Sequence, residues 1–535
     1  MSQALPHQLF TLDAASLREA IVAGEYSASE VLEIYLERLQ RIDQRCNAIV
    51  APLYDQARGR AAELDQTRAR GEHCGPLHGV PITIKESFDY AGTATTGGLP
   101  CRRDHRAAAT SPLVAALEQA GAVVMGKTNV PELLVYFESD NPVYGRTDHP
   151  WRADRSPGGS SGGEAAAVAG GGSVLGLGSD LAGSIRVPAH YCGIHGFLPT
   201  ARRLTHLGSA DEWLAPGQEA IVDQPGPLAR RVSDLALVMK LLTADGVGAA
   251  DPALPPVAAV ESKGQLPAGL RLGYYLDDGF FSAAPALQRL VREAVAALEA
   301  AGVEMVPFQP PQVEQMMSLY FSLLAADGGD WARPLLRGRG HDHRVMELAR
   351  IARLSGWQRR LLAAGLELFG QRKLASAARR FGRMSASQYW RRVEEQRCYI
   401  AEFDARLRQQ RLSGLICPVA ATPALTHGAG KELTGMGSYT MLFNLLGMPA
   451  GCVAAGRVRA AESGQRTGGR DRIDRVAARV DADSAGLPVG VQVAGRRWRD
   501  GLVLDVMACL EQHFQQQTDY PVWPQSIARV DGVSP

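Results

Sequence analysis

Ser160 and Ser184 stand in the stretch Arg155 to Thr200, R-S-P-G-G-S-S-G-G-E-A-A-A-V-A-G-G-G-S-V-L-G-L-G-S-D-L-A-G-S-I-R-V-P-A-H-Y-C-G-I-H-G-F-L-P-T, where glycines bracket both hydroxyls. Glycine at this density suits a flexible linker, or a site where main chain takes positive φ or closely approaches a ligand. A linker would be polar throughout, whereas this stretch interleaves an Ala/Val helix start and a V-L-G-L-G strand. It is read as a folded, backbone-crowded site. Main-chain N–H groups exposed by such glycines are natural donors to an oxyanion, so the chemistry suggested is addition to a carbonyl.

Two other spellings compete. Gly121 to Thr128, G-A-V-V-M-G-K-T, satisfies a phosphate-binding loop pattern. Its interior, Ala122, Val123, Val124 and Met125, reads as a strand, and Pro131 follows too soon for the required helix, so Lys127 is expected to bond locally. Gly158 to Gly162 fits G-x-S-x-G, the nucleophile elbow of α/β-hydrolases. That elbow follows a buried strand, whereas Trp151 to Pro157 is polar and turn-like. His190 and His195, near Ser184, are expected to be packing residues rather than members of a Ser-His-Asp site.

The elements that must position these groups form an α/β pattern. Ser16-x-x-Glu19 and Ser27-x-x-Glu30 both spell capping boxes, and residues 1–74 read as helical. G-V-P-I-T-I-K then alternates as a strand, with Val80, Ile82 and Ile84 on one face, Thr83 and Lys85 on the other. Helix and strand signals alternate through Phe308, which implies a sheet with helices on its faces. Strands resume at L-I-C-P-V-A-A-T-P and L-P-V-G-V-Q-V-A-G, and the polar run from Arg457 to Ala485 between them is expected to be an exposed loop or ragged hairpin.

From 316 to 407 the strands give way to helical, basic sequence. Arg353, Arg359, Arg360, Arg372, Lys373, Arg379, Arg380 and Arg383 face Glu367 alone, with apolar stripes Leu354-Trp357-Leu361-Ala364-Leu368 and Leu374-Ala377-Phe381-Met384. The favoured expectation is helices covering the core with a solvated basic face; the sharper one is a surface resting on anionic lipid. The composition, 46% hydrophobic and 21% charged over 535 residues with a net charge of +1, gives no bias toward nucleic acid. Eight scattered cysteines without a C-x-x-C pair argue for reduced thiols and against a metal site. No basic start followed by an apolar run opens the chain and no stretch is long enough to span a membrane, so a cytoplasmic protein is expected.

The combination G-G-S-S-G-G-E, then G-S-D-L-A-G-S-I-R-V-P, with K-E upstream on a strand, resembles the amidase signature family. T-N-V-P-E, Y-G-R-T, S-Y-T-M-L-F-N-L-L-G-M-P-A-G and G-L-P-V-G-V-Q extend the likeness over most of the chain. It is closest to the fatty acid amide hydrolase branch, through A-D-G-G, S-G-W-Q-R-R-L-L and S-Y-T-M-L-F-N. The resemblance implies one domain over residues 1–535: a mixed, twisted sheet between helices, with residues 316–407 as an inserted cap that faces membrane. It implies a Lys85–Ser160–Ser184 triad and cofactor-free hydrolysis of an N-acyl amide through an acyl-enzyme on Ser184. Aryl anilides, carbamates, esters and small amides are the alternatives within that fold. Peripheral membrane contact through the basic helical cap and a homodimer are both admitted.

Independent chemistry agrees. A serine hydroxyl needs an adjacent base, and lysine serves only when neutral. Its pKa must fall from ~10.4 toward ~7 to 8 at ~1.4 kcal/mol per unit, which demands burial with little negative charge nearby. Main-chain N–H groups of Leu181, Ala182, Gly183 and Ser184 are the oxyanion candidates; many relatives carry glycine where Ala182 stands. Ser161 and Ser179 are expected to support the triad through hydrogen bonds, and Asp180 and Arg186 to hold the loop. By resemblance, Leu134, Val135, Met441 and Leu445 would line an acyl channel, with smaller side chains at Leu134 and Val135 than long-acyl relatives carry.

Overall fold

The computed structural model describes residues 7–524 apart from 339, 372–374, 376, 377, 380, 381 and 470. In chain order the strands are β1 (Ile49–Pro52), β2 (Pro81–Lys85), β3 (Val123–Thr128), β4 (Asp140–Asn141), β5 (Gly145–Arg146), β6 (Leu175–Asp180) and β7 (His195–Leu198). They continue with β8 (Gln224–Ala229), β9 (Arg271–Tyr274), β10 (Glu304–Pro307), β11 (Gly414–Pro418), β12 (Ala450–Arg457) and β13 (Pro488–Gly495). Eleven of them form one mixed sheet in the order β1-β3-β2-β6-β8-β7-β12-β13-β11-β9-β10. β3, β2 and β6 run parallel, as do β11, β9 and β10, while the centre is antiparallel.

Every residue of β2, β3, β6, β8, β11 and β13 is buried, so both faces of the sheet are covered. Helix Gly162–Ala169 packs on β2, β6 and β8; helices Arg186–Cys192 and Asp500–Phe514 pack on β12 and β13. A strand buried on both faces tolerates apolar residues at consecutive positions, which explains why A-V-V-M carries no alternation. It also means that Thr83 and Lys85, though on the face opposite Ile82 and Ile84, never meet solvent.

Several sequence expectations need correction. Ser16 caps nothing: the first α-helix, Ala14–Ala23, starts earlier, and the Asp13 carboxylate accepts from the Ser16 amide at 2.8 Å. The Ser27–Glu30 capping box is present, opening Ala28–Cys46 with Val31, Leu32, Tyr35, Leu39 and Ile42 buried. The early part is not purely helical, since β1 pairs antiparallel with β3. The run from Arg457 to Ala485 is no loop either. It holds helix Arg472–Asp481, capped by Asp471, with Ile473, Val476, Ala477 and Val480 buried; four apolar residues at helical spacing outweigh a polar average.

Between β10 and β11 the chain forms helices Val313–Leu324, His343–Ala352, Gly356–Leu368 and Ala386–Gln409 among the described residues. Val313–Leu324 buries Met316, Met317, Leu319, Tyr320 and Leu323. Gly356–Leu368 behaves oppositely. Its apolar stripe does not cover the core, as only Ala363 is buried, while Trp357 and Leu361 are each 67% exposed and Leu368 is 87% exposed. Ala364 is exposed and Leu354 half-buried. Of the second stripe, Leu374, Ala377 and Phe381 lie outside the described residues, and Met384 is half-buried.

Candidate active site

Parallel pairing of β2 with β6 aligns Ile84 with Leu177, so the C-terminal ends of both strands open at the same point. Lys85 and Ser179 therefore arrive side by side. Lys85 Nζ, with no solvent exposure, donates to Ser160 Oγ at 2.8 Å, to Ser179 Oγ at 2.8 Å and to the Ser179 carbonyl at 3.2 Å. Ser160 follows a cis Gly159–Ser160 peptide bond and stands two residues before Gly162, where helix Gly162–Ala169 begins after Ser161 at its N-cap. Ser161 supports this junction: its amide donates to the Ser184 carbonyl at 3.1 Å and its hydroxyl to the Ser179 carbonyl at 3.3 Å. The structure thus brings Lys85, Ser160, Ser161 and Ser179 together, with Ser184 tied in through its backbone. The Ser184 hydroxyl has no hydrogen-bond partner among the described residues, and its residue keeps 7% of its surface exposed.

Close packing here is enforced by glycine. A Cβ at Gly176 of β6 would meet the Glu164 carboxyl at 1.9 Å, so a side chain there would displace the helix that follows Ser160. Gly183 has φ of +126° and abuts Thr440, a conformation and a clearance that Cβ forbids.

The loop from Asp180 to Ser184 is held by the expected pair. The Asp180 carboxylate receives Arg186 Nη2 at 2.9 Å, Nε at 3.0 Å and the amides of Gly183 and Ile185 at 2.6 and 3.1 Å. Arg186 also donates to the Thr440 carbonyl, Gln492 and Asn444. Gly183 must consequently be struck from the free oxyanion donors, because its N–H is engaged. The amides of Leu181, Ala182 and Ser184 have no acceptor among the described residues. Ala182 has no positive φ, so alanine is accommodated at this position.

The expected scarcity of negative charge around Lys85 is not observed. Burial lowers the Lys85 pKa, but Asp223, Asp211, Asp180 and Glu164 pull it the other way. Most of that charge is neutralised. Burial pushes Glu164 up to about 8, against hydrogen bonds from Thr83 and Thr128, so it is protonated at neutral pH. Burial also works against ionised Asp180, yet Arg186 holds it below its usual value. Asp223 is driven well above the carboxylate range by burial and by Asp211.

The competing motifs lose their partners in three dimensions. Lys127 is buried in β3 and donates to the Ala94 carbonyl at 2.5 Å and Thr95 Oγ1 at 3.0 Å. His190 bonds the Thr422 carbonyl and the Gly490 amide, and burial lowers it to about 4. His195 accepts from the Ala454 amide. Glu86 takes Thr96 and Gly97 rather than Lys85. Among the described residues no cluster of His, Cys, Asp or Glu is arranged to hold a metal.

The residues expected to line an acyl channel have unlike environments. Met441 and Leu445 are buried in the main core, Leu134 is half-buried at φ of +58°, and Val135 is 39% exposed. Sequence reasoning missed Thr440 and Asn444, which share helix Ser438–Leu446 with Met441. Thr440 donates to the Ala182 carbonyl at 2.7 Å and Asn444 to the Asp180 carbonyl at 3.0 Å. Their spacing of one helical turn was the available signal. Tyr320, donating to the Leu181 carbonyl at 2.8 Å, and the acids Asp211 and Asp223 carried no local signal.

The profile of the Amidase family matches residues 30–504. The chain belongs to the amidase signature family. It is 34% identical to fatty-acid amide hydrolase 1 of Sus scrofa, over 94% of this chain and 86% of that protein. Indoleacetamide hydrolase of Bradyrhizobium diazoefficiens is 35% identical over 57% of each chain. A solved fatty acid amide hydrolase superposes with a TM-score of 0.81 at 25% identity, covering 95% of this chain and 86% of that one. The protein is an amide-cleaving hydrolase with a mixed sheet flanked by helices, as its fold relatives have.

Proposed function

We propose that this amidase is a serine amidohydrolase acting on N-acyl amides with a long apolar acyl group. Lys85, neutral, takes a proton from Ser184 through Ser160; Ser184 attacks the carbonyl; the oxyanion meets the amides of Leu181, Ala182 and Ser184. The proton returns by the same route to the leaving nitrogen, and water releases the acid from the acyl-enzyme. The observation that carries this reading is the buried Lys85 amino group bonded to the Ser160 and Ser179 hydroxyls, beside a serine with unclaimed amides.

The acyl preference is supported by the likeness to fatty-acid amide hydrolase 1 and by an apolar surface on the 316–407 cap. Trp357, Leu361, Leu362, Leu368, Phe369 and Trp390 are all exposed, among arginines, as a helix resting on anionic lipid would present them. No helix among the described residues is long and apolar enough to cross a membrane. A second reading, hydrolysis of smaller aryl or primary amides, draws on the likeness to indoleacetamide hydrolase and on the modest side chains Leu134 and Val135. A matched acyl-chain series, as ethanolamides and anilides, with wild type and Ser184→Ala separates them. Long ethanolamides should win; preference for short acyl or aryl amides would favour the second reading, and turnover by Ser184→Ala would overturn the mechanism.

A further inference from the structure

We propose that Glu132, clasped by His341, is a positioning residue that fixes the shape of the acyl site, so that the first part of the stretch between β10 and β11 helps to set chain-length selectivity. The proposal rests on the reading of Leu134 and Val135 as acyl-lining residues. Nothing in the hydrolytic arrangement around Lys85 uses Glu132, His341 or Arg344.

The starting observation is the backbone of the turn after T-N-V-P-E. Leu133 and Leu134 have φ of +57° and +58°, a left-handed conformation that a Cβ disfavours. Two such residues in succession persist only where their surroundings over-determine them, and strain of this kind gathers at ligand clamps. Here the surroundings can be named. The Leu133 amide donates to the Gly97 carbonyl at 2.8 Å. Its side chain is buried in an apolar cluster apart from the main core, with Leu99, Tyr136, Ala332, Leu336 and Val345. The last three belong to the stretch between β10 and β11.

The clasp itself is polar. Glu132 is buried, with one carboxyl oxygen 2.6 Å from His341 Nδ1 and the other accepting from the Asp342 amide at 2.7 Å. The His341 side chain is buried in the same contact. A buried carboxyl is costly without donors, so Glu132 ties the turn to residues 341 and 342. Beyond the turn, the Tyr136 hydroxyl donates to the Arg344 carbonyl at 3.1 Å. The buried Arg344 guanidinium donates to Asp140 at 2.9 Å and to Asp342 at 2.8 Å. The strained turn is therefore fastened to residues 341–344 at both of its ends.

Its other side meets the catalytic stretch. A Cβ on Gly159 would lie 2.5 Å from the Tyr136 carbonyl. Ser139 Oγ donates to the Gly158 carbonyl at 3.1 Å and accepts from the Gly162 amide at 3.1 Å. Gly158, Gly159 and Gly162 bracket Ser160, so residues 132–139 lie between that serine and the clasp. Where helix Gly356–Leu368 buries only Ala363, the preceding segment 332–345 is fastened to the acyl-lining turn by its own side chains. With the clasp open, Leu133 and Leu134 are free to relax to negative φ, which redirects both side chains and moves Val135. The acyl group then meets a wall of different shape, while Lys85, Ser160 and Ser184 keep their contacts.

The test is steady-state hydrolysis of anilides with straight acyl chains, from acetyl to palmitoyl, by wild type, His341→Ala, His341→Gln, Tyr136→Phe and Leu134→Ala. His341→Ala should flatten the acyl-length profile. The ratio of kcat/KM between the best and worst chains should fall about tenfold, through KM, with kcat on the best chain within about twofold of wild type. A merely structural role would lower kcat on every chain alike and leave that ratio unchanged. Glutamine keeps a donor for Glu132, so His341→Gln should hold the wild-type profile; a profile as flat as that of His341→Ala would overturn the pairing. Tyr136→Phe removes the other fastening and should flatten the profile in the same direction, and it carries the test if His341→Ala fails to fold. An unchanged ratio in His341→Ala, or in Tyr136→Phe where it stands in, would overturn the clasp; an altered profile in Leu134→Ala would then leave the acyl-lining reading standing. An unchanged profile in Leu134→Ala would overturn that reading and this proposal with it.

Discussion

The glycine-rich centre and the arginine-rich helix around Trp357 treat polar and apolar groups in opposite ways. At the centre, Lys85, Glu164, Asp180 and Arg186 have no exposed surface, and each is held by named partners. On helix Gly356–Leu368, large apolar side chains stand in solvent while Ala363 alone is buried. The first arrangement costs desolvation and returns fixed geometry, which acyl transfer requires. The second leaves apolar area uncovered, which a monomer in water gains nothing from and an apolar ligand or surface would cover. The comparison predicts a centre intolerant of change and a cap whose changes register only where an apolar partner is present.

Ser184→Ala should produce the largest effect, a loss of at least ~10⁴-fold in kcat with unchanged melting temperature, since removing the nucleophile of a hydrolytic triad has effects of this size. Residual turnover above that level, measured per mole of purified variant, would separate the centre from the chemistry. Lys85→Ala should follow, with ~10³-fold loss; rescue by an added small amine would sharpen the base assignment.

Asp180→Ala should act mainly on stability. It leaves the Arg186 guanidinium buried without its counter-ion, a defect of ~3–5 kcal/mol visible in denaturant unfolding. Glu164 gives a pH signature. Its folded pKa of about 8 lies above the unfolded value, so the folded state keeps a proton that the unfolded state has lost. Stability from this group is complete below ~4 and falls as pH rises toward 8, by on the order of a few kcal/mol. Glu164→Gln should flatten that fall in chemical denaturation; an unchanged slope would show the carboxyl ionised. The smallest effect belongs to the cap. Trp357→Glu with Leu361→Glu should shift melting by less than ~0.5 kcal/mol equivalent while abolishing sedimentation with anionic vesicles at low salt. Equal sedimentation of variant and wild type would detach the cap from lipid.

How much of this was readable beforehand differs between the same two regions. Around Ser160 and Ser184 the backbone demands glycine at particular positions, so spacing carried the information, and Lys85 was placed on the correct strand end. Where packing rather than backbone decides, reading failed. Trp357, Leu361 and Leu368 have helical spacing whether or not a core lies opposite, so the stripe could not report its exposure. Arg457 to Ala485 hid its helix because arginines and aspartates outnumber the four apolar residues that it buries.

By itself the sequence determined the elements with local causes: the Ser27 cap, the β2 alternation, the glycine-bracketed serines and the family pattern they spell. Only the tertiary structure decided which acids surround Lys85. Glu164, Asp180 and the Asp211–Asp223 stretch come from three separate segments, and their approach depends on β2, β6 and β8 lying side by side. Charge interactions act through space over several ångströms, and strand order, which the sequence does not display locally, sets those distances.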